Sequence, residues 1–109
     1  MDGRENISVS VRDAMAGIEP VAWDACANPD PARHNPFLSH AFLHALEVSG
    51  CATARNGWLP QHLVVEGKDG ALLGAMPLYL KSHSQGEYVF DHGWAEAFER
   101  AGGRYYPKL

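Results

Sequence analysis

The sequence has only two cysteines, Cys26 and Cys51, and no apolar run long enough to form a membrane-spanning helix. The cysteines do not form a CxxC pair, so the pattern predicts free thiols in a reducing compartment rather than a disulfide framework. A bilayer-crossing helix needs ~20 consecutive apolar residues, and we therefore expect no membrane span. The first residues are polar and no apolar signal segment follows them, which makes the cytoplasm the expected location.

The sequence also lacks an excess of positive charge. Nine Lys and Arg residues stand against thirteen Asp and Glu residues, which gives a formal net charge of -4 and a pI near 5.8. Proteins that bind phosphate backbones do so through clustered basic side chains, so we expect no nucleic-acid partner. With 109 residues, 46% of them hydrophobic, the chain is long enough to bury the core of a single domain.

The region from Trp58 to Leu80 gives the clearest structural signal. Two apolar runs, 58–66 and 71–80, are joined by Gly67-Lys-Asp-Gly70, which predicts an antiparallel hairpin. Pro77 interrupts the second run. Because proline has no N–H for a sheet ladder, we expect a bulge or bend at this position.

The residues before the hairpin predict one strand followed by helices. Residues 5–11 alternate between polar and apolar side chains, as a half-buried strand does, whereas 13–50 are typical of helices and loops. Pro20 is expected to open a helix that buries Trp23. A second helix, capped by either Asn35 or Ser39, is expected to face the core with an apolar stripe at helical spacing: Leu38, Ala41, Phe42, Ala45 and Leu46.

The polar face of this second helix carries His40 and His44. Their spacing could suit a shared metal ion, but the glutamate of an HExxH motif is missing. We therefore predict solvated histidines and no metal site.

The switch from a period of 2 to a period of 3.6 and back predicts an α/β (α+β) fold, with a small, mainly antiparallel sheet and flanking helices. The whole chain, 1–109, is expected to form a single domain. Residues 81–109 are expected to supply a connector, a helix from Trp94 to Ala101, and the start of another strand.

Four ordered segments carry a resemblance to a known family: 35–47, 74–83, 86–91 and 102–109. Together they resemble the N-terminal part of a FemAB-like family of predicted N-acyltransferases, labelled peptidoglycan-biosynthesis-like and placed in the GNAT superfamily. The resemblance covers roughly residues 5 to 109. It implies the N-terminal half of a GNAT-like fold, and acyl-CoA as the cofactor of a complete family protein.

One GNAT motif has no match in this sequence. GNAT enzymes hold the pyrophosphate of acyl-CoA on backbone N–H groups of a [QR]-x-x-G-x-[GA] loop at a helix N-terminus. The nearest segment, Arg100 to Tyr105, ends in tyrosine where a small residue is required. We therefore expect an acyltransferase fragment that lacks its cofactor site and is inactive alone, or alternatively a non-catalytic binding or assembly module.

The resemblance directs attention to the polar segment after the hairpin. Amine acylation needs a base that works near neutral pH and a carboxylate that binds the acceptor, so His83 and Asp91 are the leading catalytic candidates. Lys81, Glu87 and Tyr88 are the accompanying substrate-binding candidates. No G-x-S-x-G elbow occurs, which disfavours a hydrolase. The alternative for this segment is an ordered loop whose aromatic side chains, among them Tyr88, Phe90 and Trp94, simply pack down.

The resemblance also predicts self-association. A GNAT sheet that stops before its fourth strand would expose the edge of the strand at 71–80 and one apolar face. We expect a homodimer formed by face packing or by exchange of the segment 104–109, because Pro77 disfavours a long edge-to-edge ladder.

Overall fold

A computed structural model of the protein describes residues 6–85 and 91–109. Small antiparallel sheets and helices make a mixed α+β fold, which confirms the predicted class. Short 3-10 turns lie between several of the main elements. In chain order these elements are β1 (Ser8–Arg12), α1 (Pro20–Ala27), α2 (His40–Val48), β2 (Trp58–Pro60), β3 (His62–Glu66), β4 (Leu72–Met76), β5 (Tyr79–Lys81) and α3 (His92–Arg100).

The predicted hairpin is present and is divided into two ladders. β3 pairs antiparallel with β4, and β2 pairs antiparallel with β5 in the same register. The division falls at Pro77, as expected from its missing N–H. The next N–H, that of Leu78, is donated to Nδ1 of the His62 ring at 3.2 Å. At this bend the His62 ring therefore accepts an N–H that a backbone carbonyl would accept in a regular ladder.

β1 pairs with the other edge of β3, giving the strand order β1-β3-β4. The predicted alternation in β1 is correct, but the expected half-burial of its apolar side is wrong. Val9 and Val11 are 62% and 55% exposed. The inward side instead carries Arg12, whose guanidinium lies 2.6 Å from the Glu66 carboxylate. The side of β1 that faces the helices thus carries the Arg12–Glu66 ion pair, and the apolar side of the strand is open to solvent.

Helices α1 and α2 cover part of the inner face of this sheet. Among the residues that the structure describes, the buried core cluster contains Met15, Ile18, Trp23, Leu43 and Val64. Pro20 stands at the first position of α1, as predicted, and Trp23 on the same helix is fully buried. The indole N–H of Trp23 donates to the Leu38 carbonyl at 3.0 Å, so the largest core side chain also satisfies its polar atom.

The predicted inward face of α2 is only partly correct, because Leu46 packs against the core but other predicted positions do not. Ser39 caps the helix and Asn35 caps the preceding 3-10 turn, so both expected caps are used. The buried positions, however, are His40 and Leu43, whereas three members of the expected stripe are exposed: Ala41, Phe42 and Ala45. His40 Nε2 donates to the carbonyls of Met15 at 2.8 Å and Ile18 at 2.9 Å. The buried His40 ring thus supplies a donor to two buried backbone carbonyls.

The C-terminal region returns to the hairpin. α3 forms where a helix was predicted, and Gly102, with φ 92, follows it. Trp94 is 78% exposed, so the expectation that it packs down is wrong. Further along, the Lys108 N–H donates to the Lys81 carbonyl at 2.9 Å, and the Lys81 N–H donates to the Lys108 carbonyl at 2.6 Å. This bridge ties the end of the chain to β5.

Both cysteines are free, as predicted, and Cys26 is half-buried whereas Cys51 is exposed. Among residues 6–85 and 91–109, no helix is both long and apolar enough to cross a membrane.

Candidate functional site

Polar side chains converge where the C-terminal segment meets β5. The backbone bridge between Lys81 and Lys108 brings the chain around Asp91 into contact with the chain end. The group that results is called the Asp91 cluster below, and it consists of Lys81, Ser84, Asp91, Tyr105, Tyr106 and Lys108.

Asp91 is the centre of this cluster because four side chains donate to its carboxylate. Tyr105 donates to Oδ2 at 2.8 Å, Ser84 donates to Oδ2 at 2.9 Å, and Tyr106 donates to Oδ1 at 3.2 Å. Lys108 Nζ forms an ion pair with the same carboxylate. The hydrogen bond from Lys108, followed by that from Tyr105, holds the pKa of Asp91 well below its ordinary value of 3.8. Asp91 therefore stays ionised and suits binding better than proton transfer.

The pKa values of the two lysines of the cluster shift in opposite directions. The hydrogen bond to Asp91 raises the pKa of Lys108, which keeps its positive charge. Lys81 is largely buried, with its Nζ 4.5 Å from the centroid of the Trp58 ring. Burial, followed by the charge of Lys108, lowers the pKa of Lys81, although Asp91 opposes the shift. Of the two ammonium groups, Lys81 is the one that loses a proton more readily.

Two of the five sequence candidates, Lys81 and Asp91, are connected through Lys108, whose backbone bridges Lys81 and whose Nζ pairs with Asp91. His83 lies nearby in sequence but its ring contacts backbone at both nitrogens. Its Nδ1 accepts from the Gln85 N–H at 3.1 Å, so Nε2 carries the hydrogen and donates to the Asn56 carbonyl at 2.9 Å. Glu87 and Tyr88 lie outside the described residues.

Four members of the cluster were not among the sequence candidates: Ser84, Tyr105, Tyr106 and Lys108. The last three belong to the segment 102–109, which carries part of the family resemblance. Its resemblance to the family was therefore a signal that this segment belongs to the site. Its pairing with Lys81 is a long-range contact, which local periodicity does not encode.

A second polar group lies buried between the helices and the hairpin. Glu47 accepts from the Met15 N–H at 2.7 Å and from His62 Nε2 at 2.7 Å. The fully buried His62 ring lies edge-on to Trp23 and Tyr79. Burial, followed by the charge of Glu47, raises the pKa of Tyr79. Since both His62 nitrogens are bonded, this group connects α2 to the hairpin rather than offering a reactive atom.

A model of the FemAB-like family, described as peptidoglycan biosynthesis/recognition, matches residues 14–109. The chain belongs to the FemAB-like family. The matched range contains the hairpin and every member of the Asp91 cluster, and at family level it connects the chain to peptidoglycan-related aminoacyl transfer. No curated protein and no solved structure matches this FemAB-like chain.

The described part of this FemAB-like chain holds no group of three or more His, Cys, Asp or Glu side chains placed to bind a metal ion. His40 and His44 have ring centroids 5.7 Å apart, but Nε2 of His40 donates to two backbone carbonyls. The chemistry open to the Asp91 cluster is that of carboxylate, amine and phenol groups.

Proposed function

We propose that this chain takes part in the transfer of an acyl or aminoacyl group to an amine of a peptidoglycan precursor, with the Asp91 cluster on the acceptor side. The family match supports the substrate area. The observation that carries the proposal is the carboxylate of Asp91, connected through Lys108 to the buried Lys81. A cationic acceptor needs the first group, and its activation needs a proton acceptor such as the second.

The proposed step begins with the acceptor as an ammonium ion that takes the place of Lys108 at the Asp91 carboxylate. Loss of its proton to a base frees the nitrogen lone pair, which attacks the carbonyl carbon of the donor. A C–N bond forms, the C–O bond of an aminoacyl ester or the C–S bond of a thioester breaks, and the leaving group takes up a proton. Lys81, whose pKa is lowered by burial, takes up this first proton after it has lost its own. His83 could act in the same way only if Nδ1 released the Gln85 N–H.

We also propose that the donor is bound by residues outside this sequence. The sequence has no [QR]-x-x-G-x-[GA] loop to hold the pyrophosphate of acyl-CoA, the donor expected for a GNAT-type family protein. By itself the chain then binds the acceptor but not the acyl donor, and it is inactive alone.

The test is turnover of an amine acceptor by the protein that carries this chain, followed by mass spectrometry of the acceptor. Asp91→Asn keeps the shape but removes the charge and should raise KM, because the ammonium loses its partner. Lys81→Met keeps the contact with Trp58 but removes the base and should lower kcat by about 10²-fold or more. Glu99→Gln, on the exposed side of α3, is the matched control.

Three further candidates enter the same assay, namely His83, Glu87 and Tyr88, each changed to alanine. Wild-type turnover in every variant of the five candidate positions would remove the whole segment from the active site. Retained far-UV circular dichroism in each variant separates lost chemistry from lost folding.

A non-catalytic assembly module is the second candidate, and one observation favours it. The sheet face away from the helices is apolar and largely open, with half-exposed or more exposed side chains at Ile7, Val9, Val11, Leu73 and Met76. Contiguous apolar patches of this kind are typical of interaction surfaces. A module of this type would keep its function in the Lys81→Met and Asp91→Asn variants, whereas the acyltransferase would not.

A further inference from the structure

A half-open cleft of about 310 Å³ lies at the turn end of the hairpin. One wall is the start of α1 with Glu19 and Ala22, and the other is the turn of the hairpin at Gly70 and Ala71. The Asp91 cluster lies at the opposite end of the same hairpin, eight residues from Glu66 to Trp58 along β3 and β2, or roughly 25 Å at about 3.4 Å per residue. The cleft is therefore separate from the site described above.

The floor of the cleft is apolar and well buried. It is formed by Ile18, Val64 and Leu72, of which Ile18 and Val64 also belong to the core. Ligand sites typically combine such a floor with a few polar groups that converge on it, in a volume of about 300 Å³ or more. The floor suits a compact apolar group of a small molecule.

The rim of the cleft is charged, and the charges do not cancel. Arg12 is already paired with Glu66, with Nη2 and Oε1 2.6 Å apart. Glu19 is the other charged lining residue, so one arginine faces two glutamates. Glu19 Oε2 also accepts the Ala22 N–H at 2.7 Å and so occupies the N-terminus of α1, where an anion would otherwise bind. The remaining negative charge favours a cation.

We propose that this cleft binds a small molecule that carries a protonated amine on a compact apolar body. The apolar body rests on Ile18, Val64 and Leu72, and the ammonium group pairs with the Glu19 carboxylate at the rim. The inference stands apart from the proposed acyl transfer, because it uses none of the residues of the Asp91 cluster.

The probe is benzylamine, titrated into the native chain and followed by ¹H–¹⁵N NMR, with benzyl alcohol as its uncharged counterpart. Saturable shifts at Gly17, Gly70 and Ala71, and at least fivefold weaker binding of the alcohol, are expected. No saturable shift, equal affinity for both probes, or shifts centred on Asp91 would each overturn the proposal.

Two variants sharpen the test. Glu19→Gln keeps an oxygen that can cap α1 but removes the charge, and it should weaken benzylamine binding about fivefold without changing the alcohol. Ala22→Leu places a larger side chain in the cleft on a helix that tolerates leucine, and it should abolish binding of both probes. Glu99→Gln removes a charge elsewhere and should change neither. If Glu19→Gln did not fold, Ala22→Leu and the pair of probes on the native chain would decide the matter.

Discussion

His62 Nε2 donates to the Glu47 carboxylate at 2.7 Å, and this bond joins α2 to the hairpin. The tautomer follows from the other ring nitrogen, because Nδ1 accepts the Leu78 N–H. The His62 side chain is 0% exposed and that of Glu47 is 11% exposed, so the bond is largely shielded from solvent. The bond is therefore a structural joint between two halves of the chain.

Glu47→Ala should reduce the free energy of unfolding by about 3 kcal/mol. The change removes the acceptor of two buried donors, the Met15 N–H and His62 Nε2–H, and hydrogen bonds to charged groups contribute about 1.5–3 kcal/mol each. Urea denaturation measures the loss. Glu99→Ala, at an exposed position, should stay within about 0.5 kcal/mol of wild type. Equal stability of the two variants would show that Glu47 is not a joint.

Asp91→Asn should make the stability of the chain less dependent on acidic pH. The folded pKa of Asp91 lies below its ordinary value of 3.8, so its contribution to stability is fully present above that value and is lost as pH falls through the lower folded pKa. The difference in urea midpoint between wild type and Asp91→Asn should be constant near pH 7 and should shrink below about pH 4. A difference that stays constant down to pH 2.5 would contradict the ion pair with Lys108.

Gly57→Ala should destabilise the chain by about 2 kcal/mol. Gly57 has φ 82, where a side chain costs roughly 1–2 kcal/mol, and an added Cβ would lie 2.6 Å from both His83 Cδ2 and Ser82 Oγ. Gly17→Ala is the control, because no atom lies within 4 Å of the corresponding Cβ and φ is not positive. Thermal unfolding of the pair checks the prediction, and a Gly57→Ala variant as stable as Gly17→Ala would refute it.

Acetyl-CoA should not bind this chain tightly, because the sequence lacks a GNAT-type pyrophosphate loop. Isothermal calorimetry on the purified chain is the measurement. A dissociation constant in the low micromolar range, about -8 kcal/mol, would show that the motif is not needed.

The chain should self-associate through the open face of its sheet. Burying one half-exposed aliphatic side chain on that face would contribute roughly 1 kcal/mol to the free energy of association. A second copy of the chain, packed symmetrically, could bury several of them at once. Sedimentation at low micromolar concentration should show a dimer. Val9→Lys should convert it to a monomer, whereas Val21→Lys, at a still more exposed apolar position on α1, should not. A monomeric wild-type chain would end this prediction.

The hairpin and its bend were readable from sequence because both depend on local features. The glycines at 67 and 70 turn the chain, and Pro77 cannot donate to a ladder wherever it stands. Trp23 was placed correctly because Pro20 fixes the start of its helix. In each case, neighbouring residues alone determined the outcome.

The inward faces of β1 and α2 were not readable because they depend on distant partners. His40 is buried since two carbonyls, those of Met15 and Ile18, need a donor, and Arg12 is drawn inward by Glu66. Hydrophobicity alone would place the side chains of His40 and Arg12 in solvent. The same limit applies to the site. The sequence identifies Asp91 as a polar residue in a candidate segment, but its ion pair with Lys108 depends on the distant contact between Lys81 and Lys108.

The bridge between Lys81 and Lys108 closes the base of the chain excursion that holds α3 and Asp91. A loop closed at its base can change in length at low cost, since the entropy of closure grows only with the logarithm of the number of residues. The segment between Lys81 and Lys108 can therefore be replaced by another, as long as the backbones of these two lysines keep their pairing. Loops of other lengths grafted between these two positions would replace Ser84, Asp91, Tyr105 and Tyr106, and would leave the hairpin and the Trp23 core in place.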